Sequence, residues 1–174
     1  DTKLAAGKKL YLDGGGDTYI HERNTDNVEI IIGGDTMLIF QELGADGNAI
    51  TFPSNTSAGF ARQTGTFDAT NSTVDFRLGN KAYITIEASV TNLKLTFPEA
   101  SGNFLLYLRY DGDWTITNYL AYAFDESAAT TANVMWPGGT KPDNTSGGRD
   151  VFSFYWDADL ETTFGVASLA FAEP

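Results

Sequence analysis

The chain contains no cysteine, which excludes disulfides, thiol catalysis and thiolate metal sites and leaves stability to packing and assembly. Histidine occurs once, at His21 inside an alternating segment, so no serine-type triad can be assigned and the imidazole reads as structural. Basic residues are scarce. Only 11 Lys and Arg stand against 23 Asp and Glu, and the net charge of −12 opposes phosphate backbones and anionic membranes, so no nucleic-acid partner is expected. No apolar run approaches the ~18 residues of a membrane helix. The longest, Phe104 to Leu108, has strand length, and no membrane insertion is expected. Nothing resembles a signal peptide, and the opening at Asp1 leads us to expect a piece of something longer.

Aromatic residues are plentiful: 8 Tyr, 12 Phe and 3 Trp in 174 residues are enough for one cored domain with a small appendage. The appendage comes first. Lys8 to Leu12 and Thr18 to Glu22 alternate apolar and polar residues around Gly14-Gly15-Gly16, and Val28 to Ile32 and Met37 to Phe40 repeat the device around Gly33-Gly34. Glycines that accept positive φ turn such segments back as hairpins, so residues 1–44 read as a β-meander. A unit near the ~40-residue limit of independent folding cannot cover both of its faces. Leu10, Leu12, Ile20, Ile30, Ile32, Leu38 and Phe40 are therefore expected to meet partner chains.

Turn formers at 41–48 set the boundary, with 45–48 as linker and 49–174 as a second domain. There the period-2 signal dominates: Val74, Phe76 and Leu78, then Ile84 and Ile86, then Leu93, Leu95 and Phe97 alternate with polar residues. Phe104 to Tyr110 is apolar on both faces and reads as a central strand, with Val151 to Trp156 and Phe164 to Phe171 as late strands. The turn spacing predicts an all-β, antiparallel, jelly-roll-like sandwich. Ala121 to Ala132 is rich in alanine without a clear apolar stripe, so helix and loop stay open there.

Asp-rich turns recur at Asp13/Asp17, Asp46/Asn48, Asp111/Asp113 and Asp157/Asp159, but none has the alternate-ligand spacing and distal Glu of a calcium loop, so they read as hairpin turns and no metal or other cofactor is assigned. Glu87, Glu99, Asp125 and Glu126 are available carboxylates, yet paired-carboxylate chemistry depends on spatial separation, and no catalytic residue is assigned. Asn55, Asn71 and Asn144 open glycosylation-type triplets without functional weight. The ligand candidate is Trp114, with Asp111 and Asp113 beside it, because an indole next to carboxylates suits a sugar ring and its hydroxyls. Trp136 and Trp156, at strand ends, read as caps of the sandwich.

Two stretches carry a resemblance. Lys9 to Ile20 with Val28 to Phe40 resembles a short module of bacteriophage fibre and virion proteins. Asn92 to Pro98, Gly102 to Phe104, Val134 to Pro142, Asp150 to Asp157 and Gly165 to Ser168 are similar to terminal β-domains of the same class, which leaves 49–91 unmatched. What the resemblance implies is a homotrimeric, non-enzymatic component of the virion surface: a tail-fibre tip, or a capsid knob held by other virion proteins. A host surface glycan is the external partner it implies, and no site residues carry over. The second expectation, from a different class, is a monomeric carbohydrate-binding module of a larger secreted protein.

Overall fold

The computed structural model describes Ala5 and residues 7–44, 47–53, 56–69 and 72–171. Asp46, Asn55 and Asn71, singled out above, lie outside the described residues. The chain divides into two compact units, Asp1–Gly59 and Phe60–Pro174.

The first unit is a five-stranded antiparallel meander of β1 (Lys9–Tyr11), β2 (Tyr19–Asn24), β3 (Asn27–Ile32), β4 (Asp35–Glu42) and β5 (Asn48–Thr51), paired in chain order. Gly33 and Gly34 both take positive φ, 62° and 85°, which is what a two-residue hairpin turn between β3 and β4 demands. The boundary expected at 45–48 is corrected here. Leu43 N–H donates to the Gly47 carbonyl at 2.7 Å, so the turn formers close a hairpin, and β5 pairs with β4 instead of opening the second unit. Composition marks a turn but not whether the chain returns to the same sheet afterwards.

Among its described residues the second unit holds nine strands in two sheets. One runs in the order β14-β13-β10-β8-β6, with β6 at Gln63–Phe67, β8 at Lys81–Ile86, β10 at Gly102–Tyr110, β13 at Arg149–Asp157 and β14 at Thr162–Ser168. The other runs β12-β11-β9-β7, with β7 at Thr73–Asp75, β9 at Val90–Thr96, β11 at Ile116–Tyr122 and β12 at Ala128–Asn133. From β6 to β11 the chain alternates between the sheets, so β6, β8 and β10 are mutually parallel neighbours, as are β7, β9 and β11. Only β12, β13 and β14 pair antiparallel. All-β architecture is what the sequence predicts, but the antiparallel, jelly-roll-like winding gives way to a coiled one. Period-2 alternation is the same in either pairing, because it records faces and not partners.

Burial follows the alternation. Leu93, Leu95 and Phe97 from one sheet meet Leu106, Leu108 and Phe154 from the other in a single core. Phe97 stacks on Trp156 at 4.9 Å and 8° and on Phe76 at 5.3 Å, and such ring pairs add ~0.5–1.5 kcal/mol each beyond their buried area. Trp156 Nε1 donates to the Pro98 carbonyl at 3.0 Å, which satisfies the one polar atom of a ring that is 1 % exposed. Two local expectations change. The alternation Val74, Phe76, Leu78 breaks after β7, because Asp75 accepts from Arg77 N–H and caps a 3₁₀ turn at Phe76–Leu78, leaving Leu78 exposed. The alanine-rich 121–132 becomes the end of β11, a turn and most of β12.

Gly165 lies against Trp136 and Val134, and a Cβ there would come within 2.7 Å of the indole and 2.8 Å of Val134 Cγ1. Gly165→Ala should cost ~1–3 kcal/mol in a denaturant titration, since neither packed side chain is a free end that can swing away. An unchanged midpoint would show that the Trp136 ring relaxes freely.

Candidate functional site

Strand register sorts the meander into two dissimilar faces. On one, Leu10, Ile20, Ile30 and Leu38 form a cross-strand row over four strands, and Val28, Phe40 and Ile50 form the next row. Phe40 and Val28 are each 39 % exposed, Leu10 48 % and Ile50 63 %, and Val28, Phe40 and Ile50 line a depression of about 560 Å³. Five of the seven apolar residues singled out above thus share one uncovered surface. Ile32 continues it by strand alternation at the end of β3, and Leu12 lies exposed in the glycine turn just beyond β1.

The opposite face mixes Ile31 and Ile39 with aromatic rings and polar groups that are bonded to one another. Tyr11, Tyr19 and His21 follow one another edge to face at 5.5 and 5.2 Å, and Lys9 Nζ sits 3.7 Å above the Tyr19 ring. His21 Nε2 lies 3.3 Å from Glu29 Oε2, and Arg23 donates to the other carboxylate oxygen at 3.1 Å. Glu29 is buried between them. The single histidine is thereby committed to a carboxylate clamp on its own sheet.

Trp114 and Asp111 meet in the turn after β10. The indole Nε1 donates to Asp111 Oδ1 at 2.8 Å, and the ring lies over Gly112, where a Cβ would fall 2.9 Å from Nε1. Trp114 is half-buried and packs on the core, so its N–H and one Asp111 oxygen are spent inside the turn, while Asp113 is exposed at the tip. The other acidic turns behave alike: Asp13 accepts from Gly16 N–H, and Asp157 from the N–H groups of Asp159 and Leu160. Asp125 is held by Ser127, and Glu126 by Arg77, which also grips Asp75 and the Phe124 carbonyl. Among the described residues no three His, Asp or Glu side chains converge as a metal site would require.

A buried polar network escaped the sequence reading. Asn144 Nδ2 donates to the hydroxyls of Tyr110 (2.7 Å) and Tyr119 (3.0 Å), while its Oδ1 accepts from Ile116 N–H at 2.8 Å. Asp150, fully buried, accepts from Thr145 N–H and Ala170 N–H, both at 3.0 Å. The triplet read as a glycosylation pattern is here the peg that fastens the 140–148 loop to the sandwich. No signal in the sequence distinguishes such an asparagine, because its partners lie on β10 and β11.

The five-stranded sheet of the second unit also has an uncovered outer face. Leu105, Ser153, Tyr155, Phe164, Asn80 and Asn103 line an open groove of about 400 Å³, with Lys81 at its side. Tyr83 and Tyr107 stack next to it at 4.7 Å and 11°, with the Arg62 guanidinium 4.6 Å above Tyr83. At the far end Arg109 and Arg149 face each other across β10 and β13 and line a second cleft of about 330 Å³ with Asp111.

Comparison with protein-family models, curated proteins and solved structures finds no match.

Burial, and then the Asp150 carboxylate, push the Tyr110 phenol well above its ordinary value; burial, and then Tyr110, do the same to Tyr119. Their contribution to stability is therefore complete below the unfolded value of about 10 and is lost as pH rises through the raised folded values. Thermal midpoints should be level with respect to these groups up to about pH 10 and fall above it. Tyr119→Phe should lower the midpoint at pH 8 and make the alkaline fall shallower. An identical fall in the variant would remove Tyr119 from this account.

Proposed function

We propose that the chain is a non-enzymatic structural component of a bacteriophage particle, in which the meander assembles three copies and the sandwich is displayed on the virion surface as an attachment or reinforcing head. The observation that carries this reading is the apolar face of the meander. Five strands about 4.8 Å apart and about 17 Å long give each copy a face of about 400 Å², and its apolar rows are of the size through which proteins commonly associate. Three copies closing round an axis would cover all three faces at once. Among the described residues Ile31 is the sole buried apolar one of the first unit, which supports the same reading, since the meander has little core of its own. The resemblance of Lys9 to Ile20 and Val28 to Phe40 to phage fibre modules agrees with three copies. Multivalent display would then let a weak head site act through avidity.

Light scattering should give three times 18.8 kDa for the chain. Phe40→Glu, on the exposed face, should lower that mass at micromolar concentration while far-ultraviolet dichroism stays β-rich, because a carboxylate cannot be desolvated between copies. A wild-type monomer at micromolar concentration would overturn the assembly reading in favour of a free-standing carbohydrate-binding module.

A further inference from the structure

We infer that the pocket between β11, the end of β12 and the Pro137–Lys141 loop is a binding site for the terminal sugar-acid residue of a glycan. The inference rests on the attachment role proposed for the head, not on the assembly of the meander.

The first observation is a half-buried cation without a counter-charge. Lys141 lines a pocket of about 220 Å³, and its Nζ makes one hydrogen bond, to the Pro142 carbonyl at 3.1 Å. Among the described residues no carboxylate pairs with it, although the chain has 23 Asp and Glu. None of the residues lining the pocket is acidic, and Asp143, two residues on from Lys141, is exposed and outside the lining. Two of the three ammonium donors are thus left for a ligand, and a ligand carboxylate would supply the missing charge.

The second observation is the polar set around that cation. The benzo edge of Trp136 is packed, since a Cβ on Gly165 would fall 2.7 Å from Cζ3 and 3.0 Å from Cη2, so the opposite, pyrrole edge is the part left to line the pocket. Its Nε1 has no hydrogen-bond partner among the described residues and is not one of the buried orphans Asn27 Oδ1, Asn80 Oδ1 and Thr163 Oγ1, so this donor reaches solvent. Tyr119, Phe152 and Phe154 meet the indole edge to face at 5.4, 6.0 and 6.1 Å and hold it still. Asn118 Nδ2 donates to Asn92 Oδ1 at 2.9 Å, which fixes the amide and leaves its own Oδ1 as an acceptor. Thr117 and Asn133 stand exposed at the mouth.

An ammonium and an indole N–H suit a carboxylate, while the amides and the threonine hydroxyl suit neighbouring hydroxyls, and one ligand that carries both groups on a single ring is a sugar acid. The volume admits one ring, about seven waters' worth at ~30 Å³ each, and the exposed mouth leaves the rest of the glycan in solvent. A phosphate fits less well. It would bring up to two charges to a single ammonium in a protein of net charge −12, where a carboxylate brings one.

The test is ligand-observed saturation-transfer NMR on the full chain with methyl glucuronide, methyl glucoside, acetate and a hyaluronan tetrasaccharide whose non-reducing end is glucuronate. Methyl glucuronide should bind about tenfold tighter than methyl glucoside or acetate, each of which keeps only part of the contacts, and the tetrasaccharide should bind at least as well. Lys141→Gln should abolish the preference for glucuronide over glucoside, and Asn133→Ala should weaken glucuronide binding about threefold. Lys81→Gln, on the other sheet, removes the same charge and should change nothing. Asn133 makes no side-chain hydrogen bond within the protein, so its variant decides the matter if Lys141→Gln lowers the thermal midpoint. Equal affinity for glucuronide and glucoside, no transfer to any probe, full binding by Asn133→Ala, or a loss in Lys81→Gln as large as in Lys141→Gln would each overturn the inference. Binding of the monosaccharide without the tetrasaccharide would assign the pocket to a free sugar acid and overturn its part in attachment. Light scattering on the same sample separates the two readings: a monomer that binds keeps this site and loses the trimer, and a trimer that binds nothing does the reverse.

Discussion

From β6 to β10, every strand of the second unit is followed in the chain by a strand of the opposite sheet. That single constraint governs the rest of the second unit. No two consecutive strands in this stretch pair with each other, so neither sheet can form by local hairpin closure. The aromatic layer of Phe76, Phe97, Phe104, Phe154 and Trp156 completes only when both sheets are present. Contacts between residues distant in sequence must all form before any of them is secure, which makes folding slow and cooperative for the size of the domain. Antiparallel β12, β13 and β14 then close the coil, and Trp136 seals the end over Gly165.

The meander has the reverse character. Each of its strands pairs with its neighbour in sequence, so its local structure is inexpensive to nucleate, yet one sheet has no second layer to bury its apolar rows against. Its other face answers internally, with Ile31 buried and Glu29 held by His21 and Arg23. The apolar face has no such internal answer among the described residues. One unit therefore owns its core, and the other exports the problem of covering one.

Much of the strand content was legible, because burial on one side of a strand writes itself into the sequence at period 2. Leu93, Leu95 and Phe97, and the doubly apolar Phe104 to Tyr110 that lies at the centre of its sheet, are read correctly for that reason. The expected row Leu10, Ile20, Ile30, Leu38 also falls on one face, since tight glycine turns fix the register between neighbouring strands. Pairing between strands that are not consecutive leaves no such trace, which is why the parallel coil was missed. Arg62, Lys81, Arg109 and Arg149 were invisible as a group for the same reason. Each lies beside or within a different strand, with apolar or polar neighbours of no special pattern, and only the register brings them together. Asn144 belongs to this class too, as its partners Tyr110 and Tyr119 lie far off in the sequence.

The alternating path has a consequence for damage. A cut in the exposed turn at Asp111 to Asp113 would leave one fragment carrying β6 to β10 and another carrying β11 to β14. Each fragment would own strands in both sheets, and the two would meet along one seam in each sheet, β10 against β13 and β9 against β11. Separating them would break both seams and open the core that the two sheets share.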